Sequence, residues 1–209
     1  MMANVNIIND FHKLYYESYV WRGQTFWLGI PIYKCPLDLW IYQEIIFQIK
    51  PDLIIESGTG DGGSAFFLAS VCDAVGTGTI CTIDIQPSAK IPQHQRIIYL
   101  NGSSTSPEIL KIIRLLTKGL SKVIVILDSD HTKENVLAEL RTYSDFVTSG
   151  SYLIVEDTNI NNNPVLPDFG PGPMEAVKEF LDERTDFVID KNCEKLLLTF
   201  FPNGFLKKI

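Results

Sequence analysis

Residues 52–64, D-L-I-I-E-S-G-T-G-D-G-G-S, carry the decision about the fold. Leu53-Ile54-Ile55 is an apolar run with no polar face, preceded by Pro51. Such a run reads as a strand buried on both sides, as in a parallel sheet. Gly58, Gly60, Gly62 and Gly63 then fall within six residues. Glycine lets the backbone turn sharply and come close to a ligand, and the run from Ser64 to Ala69 starts a helix whose free N–H groups face that ligand. An ordinary strand-to-helix turn uses glycines in the same way, so a ligand reading rests on what lies downstream.

The spacing is G-x-G-x-G-G rather than the dinucleotide G-x-G-x-x-G, and Glu56 stands at the strand end before the first glycine. A carboxylate there repels a pyrophosphate. It suits a ligand carrying an ammonium group, which S-adenosylmethionine offers and NAD does not. On this reading Glu56, Gly58, Gly60 and Ser64 face the amino-acid part of the cofactor.

Downstream, Thr79 to Ile85 is a second buried strand that ends in a carboxylate, Asp84. An acid at that tip is placed to accept both hydroxyls of an adenosine ribose. Arg96 to Leu100 is a third strand, closed by Asn101-Gly102-Ser103-Ser104, where Ser104 can meet a base edge. Val123 to Leu127 runs into Asp128-Ser129-Asp130-His131, and Ser151 to Val155 runs into Glu156-Asp157. Helices are expected over Pro107–Gly119, Thr132–Val147 and Met174–Arg184. The tail, Phe187 to Asp190 and Leu196 to Phe201, reads as an antiparallel hairpin with no helix between its strands. The fold class is therefore α/β: a Rossmann-like, mostly parallel seven-stranded sheet finished by a C-terminal antiparallel hairpin.

Asp128, Asp130, Glu156 and Asp157 put acids at adjacent strand ends, where open α/β sheets hold their ligands. Clustered carboxylates raise one another's pKa unless a cation sits among them. A hard divalent ion resolves that cost, and all-oxygen ligands favour Mg²⁺, Mn²⁺ or Ca²⁺. Asp128, Glu156 and Asp157 are the expected metal ligands. Asp130 is expected either to cap the following helix or to lie on the cofactor side.

Upstream, Pro36 to Lys50 reads as a helix leading into the first strand. Residues 11–35 hold eight aromatics, Phe11, Tyr15, Tyr16, Tyr19, Trp21, Phe26, Trp27 and Tyr33, compatible equally with a substrate lid, a homo-oligomer interface and core packing. With 209 residues and 45% hydrophobic content, one domain over 1–209 is expected, with 1–50 as the lid or interface segment and 51–209 as the core. The net charge of −7 argues against nucleic acid, whose phosphates need a basic face. Four scattered cysteines form no C-x-x-C pattern and read as buried thiols. No leader-like or membrane-spanning run stands out, so a cytoplasmic chain acting on a small molecule is expected.

Several segments together resemble the cephalosporin hydroxylase family, whose members are similar to S-adenosylmethionine- and metal-dependent methyltransferases: W-L-G-I-P-I-Y-K-C-P-L-D-L-W-I-Y-Q-E-I-I, P-D-L-I-I-E-S-G-T-G-D-G-G-S-A, L-D-S-D-H-T-K-E-N-V-L-A-E-L, G-S-Y-L-I-V-E-D-T and G-P-G-P-M-E-A-V. Catechol and caffeoyl-CoA O-methyltransferases are more distantly similar. The resemblance spans about residues 20–205 and implies cofactor contacts at Gly58, Gly60, Asp84 and Ser104, and metal ligands at Asp128, Glu156 and Asp157. It also implies direct methyl transfer to a hydroxyl of a sugar, phenol or natural-product scaffold, with Asp128 and His131 as catalytic residues. Two departures stand out: Gly60 occupies the place of an aromatic in the catechol enzyme, and His131 that of its lysine base. Histidine ordinarily titrates near neutrality and suits that role, though a structural histidine is equally in keeping with the pattern.

Two other enzyme classes fit poorly. A non-haem iron oxygenase wants H-x-D or H-x-E, but His12, His94 and His131 precede Leu14, Arg96 and Lys133 at that spacing. A nicotinamide dehydrogenase wants G-x-G-x-x-G and a sheet without the terminal hairpin, and this sequence offers neither. A non-catalytic S-adenosylmethionine-binding protein and a hydroxylase-associated biosynthetic enzyme remain as alternatives.

Overall fold

The computed structural model describes residues 5–209. Helix α1 (Val5–Glu17) leads through a short hairpin, β1 (Phe26–Trp27) and β2 (Ile30–Pro31), to α2 (Pro36–Ile49). Alternating elements follow: β3 (Leu53–Ser57), α3 (Gly63–Val75), β4 (Thr79–Asp84), β5 (Ile97–Asn101), α4 (Pro107–Thr117), β6 (Val123–Leu127), α5 (Lys133–Tyr143) and β7 (Tyr152–Val155). The chain closes with α6 (Pro173–Glu183), β8 (Phe187–Ile189), a single 3₁₀ turn and β9 (Phe205–Lys208). The large sheet has seven strands in the order β5-β4-β3-β6-β7-β9-β8. Its first five strands pair in parallel, while β9 pairs antiparallel with both β7 and β8.

Successive side chains of a strand point to opposite faces, so a strand buried on both sides feeds two cores. Ile54, Ile80, Ile124, Ile126 and Ile154 pack on one face against Ile41, Tyr42, Ile45, Phe67 and Leu68 from α2 and α3. Leu53, Ile55, Cys81, Ile83, Val123, Val125 and Leu127 pack on the other face against Ile109, Ile113, Leu140, Tyr143 and Phe180 from α4, α5 and α6. All four cysteines are free and buried. No helix among the described residues is long and apolar enough to cross a membrane.

The tail departs from the expected pairing. Leu196–Phe201 is not a strand; β9 begins at Phe205, after Pro202-Asn203-Gly204. Leu198, Phe200 and Phe201 are buried, and the backbone of Phe200 bonds to a side chain of α2 and to a loop instead of to a ladder. Phe200 N donates to the Asp38 carboxylate at 2.9 Å and Phe200 O accepts from Asn159 N at 3.1 Å. An unbroken run such as L-L-L-T-F-F lacks the alternation of a half-buried strand, and a buried crossover reads the same way.

The N-terminal aromatics divide between roles. Tyr16 and Trp21 pack around Phe200 in the core, at 5.4 and 5.3 Å between ring centroids, whereas Phe11, Tyr19, Phe26 and Tyr33 are exposed.

Candidate active site

The site lies at the carboxyl ends of β3, β4, β6 and β7. Because β3 and β6 run in register, Ser57 lies opposite Leu127, and Asp128 N donates back to Ser57 O at 2.9 Å. The next strand end follows suit: Glu156 N donates to Leu127 O at 3.0 Å. This close approach requires Gly58. Its φ is +94°, and a Cβ there would lie 1.8 Å from the carbonyl oxygen of Asp128. Gly60, at φ +51°, is different, since a Cβ there would meet nothing within 4 Å. It faces open space beside Asp84.

Asp84 organises that loop. Its Oδ2 accepts from the backbone N–H groups of Thr59 and Gly60, each at 3.0 Å, and its Oδ1 accepts from Gln86 N at 2.8 Å. A carboxylate has about four acceptor positions, so one stays available on Oδ1 for a ligand hydroxyl. Ser104, near the start of α4, accepts on its carbonyl from Tyr143 OH at 2.6 Å. Asp130 is exposed, and its Oδ1 accepts from Thr132 N at 2.8 Å. That bond closes a two-residue turn just before α5, whose N-cap is Thr132, and does not cap the helix.

Glu56 does not present itself to a ligand. It is fully buried, and its two oxygens are taken by Ser64 Oγ at 2.5 Å and Thr82 Oγ1 at 2.7 Å. The reason is register: Glu56 lies beside Thr82 in the β3–β4 ladder, below the loop. Burial raises its pKa, opposed by the nearby Lys34 charge and by the two hydroxyls. Glu56 and Ser64 thus tie the start of α3 to the sheet, one layer beneath the open side of the loop.

Across the loop, one ligand atom each from Asp128, His131 and Asp157 lies within 4.8 Å of the others. His131 Nε2 is 3.1 Å from Asp157 Oδ2. Asp157 takes a φ of +52°, an uncommon conformation for a residue with a side chain. Burial raises the Asp157 pKa; His131 beside it opposes that and Asp128 adds to it. Two carboxylates and an imidazole form a donor set that Mn²⁺ tolerates well and Mg²⁺ accepts chiefly through the oxygens. Those three residues fit a divalent ion.

Glu156, expected as the third ligand, bonds two other side chains. Tyr42 OH donates to its Oε1 at 2.6 Å, and Lys34 Nζ bonds its Oε2. The same ammonium bonds Asp128 Oδ2. Burial and the Asp128 charge push Glu156 well above the usual carboxylate range, against the pull of Lys34 and Tyr42. Burial alone would lower Lys34; the two carboxylates outweigh it and hold the amine above its ordinary value. The trio whose ligand atoms lie within 4.8 Å of one another is Asp128, His131 and Asp157; Lys34 and Tyr42 each bond one oxygen of Glu156.

Lys34 and Tyr42 were invisible to motif reading, which took 11–35 as lid, interface or core and 36–50 as a lead-in helix. The signal was a single lysine inside the apolar run I-P-I-Y-K-C-P-L, and a tyrosine on the buried stripe of α2 beside Ile41 and Ile45.

Comparison with known proteins shows the family and the fold. The sequence profile of the family described as Rhamnosyl O-methyltransferase/CmcI matches residues 19–209. The chain is 41% identical over 207 residues to a rhamnosyl O-methyltransferase of Mycobacterium bovis (strain BCG / Pasteur 1173P2), covering 96% of this chain and 84% of that protein. A solved CmcI-N160 apo-structure superposes with a TM-score of 0.70 at 21% identity, covering 88% of this chain and 76% of that one. A second, described as cmcI-D160 Mg-SAM, gives a TM-score of 0.63 at 18% identity with the same coverages, 88% and 76%. These superpositions share the sheet and its terminal hairpin with the present chain.

Proposed function

We propose, from the fact that this chain belongs to the rhamnosyl O-methyltransferase/CmcI family, that it moves the methyl group of S-adenosylmethionine to a hydroxyl of a rhamnose-type sugar with the help of a divalent cation. The observation that carries this reading is the convergence of Asp128, His131 and Asp157 within 4.8 Å, across the glycine loop from Asp84. A mycobacterial relative bears the name rhamnosyl O-methyltransferase, and a CmcI structure carries Mg and SAM in its description, which supports the sugar, the cofactor and the metal.

In this proposal Asp84 and the Gly58–Ser64 loop seat the cofactor. Gly60 leaves the space its bulk needs, and the remaining acceptor position of Asp84 takes a ribose hydroxyl. Asp128 and Asp157 hold the cation, with His131 beside them. A divalent ion there would supply Lewis acidity, lowering the pKa of a substrate hydroxyl. With that lowering, the hydroxyl proton needs only a weak acceptor, and the His131–Asp157 pair, 3.1 Å apart, is the one at hand. Lys34 and Tyr42 keep Glu156 in place behind the reacting atoms. The N-terminal helices pack into the same core as the sheet, in keeping with one functional unit: Tyr16, Ile41 and Tyr42 join Ile54 and Ile124.

The test is incubation with S-adenosylmethionine, Mg²⁺ and an aryl or alkyl rhamnoside, read by mass spectrometry. The reading expects a product heavier by one methylene, with the new methyl on the oxygen of a former sugar hydroxyl. Cofactor binding by calorimetry without transfer to any of a panel of sugars would overturn the sugar assignment. Absence of cofactor binding would overturn the reading altogether.

A further inference from the structure

Helix α1 is docked through two polar aromatics. Its buried residues are His12 and Tyr16, four apart on one face, while Ile7, Phe11 and Leu14 are each more than half exposed. Apolar burial alone would seat the helix the other way round. What the buried face meets is the turn that follows β7. Asn159 Nδ2 donates to His12 Nε2 at 3.0 Å, and the His12 ring is stacked on Phe200 with 5.5 Å between centroids. An amide nitrogen can only donate, so the imidazole is the neutral acceptor, and burial lowers its pKa to about 4 in keeping with that role. Four residues on, burial and then the Asp157 charge push Tyr16 up to about 12.

Asp157 is the residue that this turn has to hold. Its φ of +52° is strained for a residue with a side chain, and such a conformation persists only where the surroundings over-determine it. Thr158, Asn159 and Ile160 are buried and supply restraints. Ile160 N donates to Asp157 O at 3.2 Å, Thr158 Oγ1 to Pro202 O at 2.7 Å and Asn159 N to Phe200 O at 3.1 Å. One more restraint comes from α1. Among the described residues Asn159 Oδ1 has no hydrogen-bond partner, so the Asn159 side chain is anchored through its amide nitrogen, on His12. We propose that His12 is a positioning residue for the cation site: through Asn159 it holds the turn from which Asp157 presents its carboxylate. Helix α1 is then a working part of the site, although it precedes residues 19–209 of the family match. This inference rests on the metal half of the proposed function, with Asp157 as a ligand.

The test is Mn²⁺ affinity by electron paramagnetic resonance and calorimetry, with no substrate and no turnover, set beside the affinity for S-adenosylmethionine without metal. His12→Phe keeps a ring on Phe200 and removes the acceptor. It should bind Mn²⁺ more weakly by about fivefold or more, with cofactor affinity within about threefold of the parent's. His12→Gln places an acceptor oxygen near the position of Nε2 and should bring Mn²⁺ affinity back to within about threefold of the parent. The urea midpoint falls whether His12 is structural or positioning, so the split between metal and cofactor decides. Parent-level Mn²⁺ binding in folded His12→Phe, an equal loss in His12→Gln, or an equal loss of cofactor affinity would overturn the inference and leave His12 a structural residue. Should His12→Phe fail to fold, nitrogen-15 spectra of the histidine-labelled parent decide. Saturation with Mg²⁺ should shift the His12 Nε2 signal and leave that of His94, bonded to Asp73, in place; a His12 signal that ignores Mg²⁺ would overturn the inference. A parent that binds no Mn²⁺ would overturn the metal reading and this inference with it.

Discussion

Gly58 and Gly60 make a matched experiment, because the structure assigns them opposite duties two residues apart. In Gly58→Ala the new Cβ would fall 1.8 Å from Asp128 O and 2.6 Å from Asp128 C, backbone atoms with no flexible end to move. The residue also sits at φ +94°, where a Cβ is strained whatever the space. Strain of roughly 1–2 kcal/mol and overpacking of roughly 1–3 kcal/mol give about 2–5 kcal/mol of destabilisation. Against a typical total of about 5–15 kcal/mol, that is a large share. Relief of the clash must separate β3 from β6 at the tip that carries Asp128, so metal affinity should fall with stability. In Gly60→Ala the Cβ meets nothing within 4 Å, and only the φ of +51° adds strain, roughly 1–2 kcal/mol. The methyl group instead enters the space proposed for S-adenosylmethionine, and cofactor affinity should fall by about tenfold or more, roughly 1.4 kcal/mol. Urea denaturation and calorimetric titration of the cofactor read the two effects separately. A Gly58→Ala protein as stable as the parent, or a Gly60→Ala protein with undiminished cofactor affinity, would refute the division of labour.

Other outcomes follow from single contacts. Asp84→Ala frees the N–H groups of Thr59, Gly60 and Gln86, so cofactor affinity by calorimetry should drop by about tenfold and urea stability by about 1–3 kcal/mol. Tyr42→Phe removes the 2.6 Å bond to a buried carboxylate and should lower urea stability by about 1.5–3 kcal/mol; an unchanged midpoint would show that Glu156 needs no such donor. Asp38 is buried at the start of α2, and burial raises its pKa from the ordinary 3.8 to about 7, against the Thr199 and Phe200 hydrogen bonds. An acid whose folded pKa is raised stabilises the fold below its unfolded pKa and loses that contribution as pH rises through the folded value. Chemical denaturation across pH 4–7 should therefore show the parent losing stability relative to Asp38→Asn, by an amount on the order of a few kcal/mol, and parallel curves would remove Asp38 as the cause.

The parts of the architecture that were legible in the sequence are those in which neighbouring residues suffice. Leu53-Ile54-Ile55 and Val123–Leu127 are apolar on both faces and became β3 and β6; Asp128, which follows the second, lies in the strand-end cluster. The glycine loop, the seven-stranded sheet and its antiparallel finish came from the same local patterns. What escaped depends on contacts between distant segments. Nothing near Glu156 in sequence shows that Lys34 and Tyr42 will reach its oxygens, and nothing near Glu56 shows that Ser64 and Thr82 will bury it. The tail misled for a different reason: Leu196–Phe201 is apolar enough for a strand, yet Asp38 and Asn159 take up the backbone groups of Phe200. His131 was placed in the site by sequence, but its 3.1 Å approach to Asp157 and the positive φ there are reported by no motif.

The most direct trial of the account is transfer of an isotopically labelled methyl group from S-adenosylmethionine to a rhamnoside, measured for the parent and for Asp157→Asn with Mg²⁺, with Mn²⁺ and in excess chelator, alongside calorimetric cofactor affinity. The account predicts label on a sugar hydroxyl in the parent, abolished by chelator and restored by either ion. It predicts none in Asp157→Asn, although that variant binds the cofactor as the parent does. Full transfer in excess chelator, or Asp157→Asn transferring at the parent's rate, would contradict a metal-assisted reaction at Asp128, His131 and Asp157.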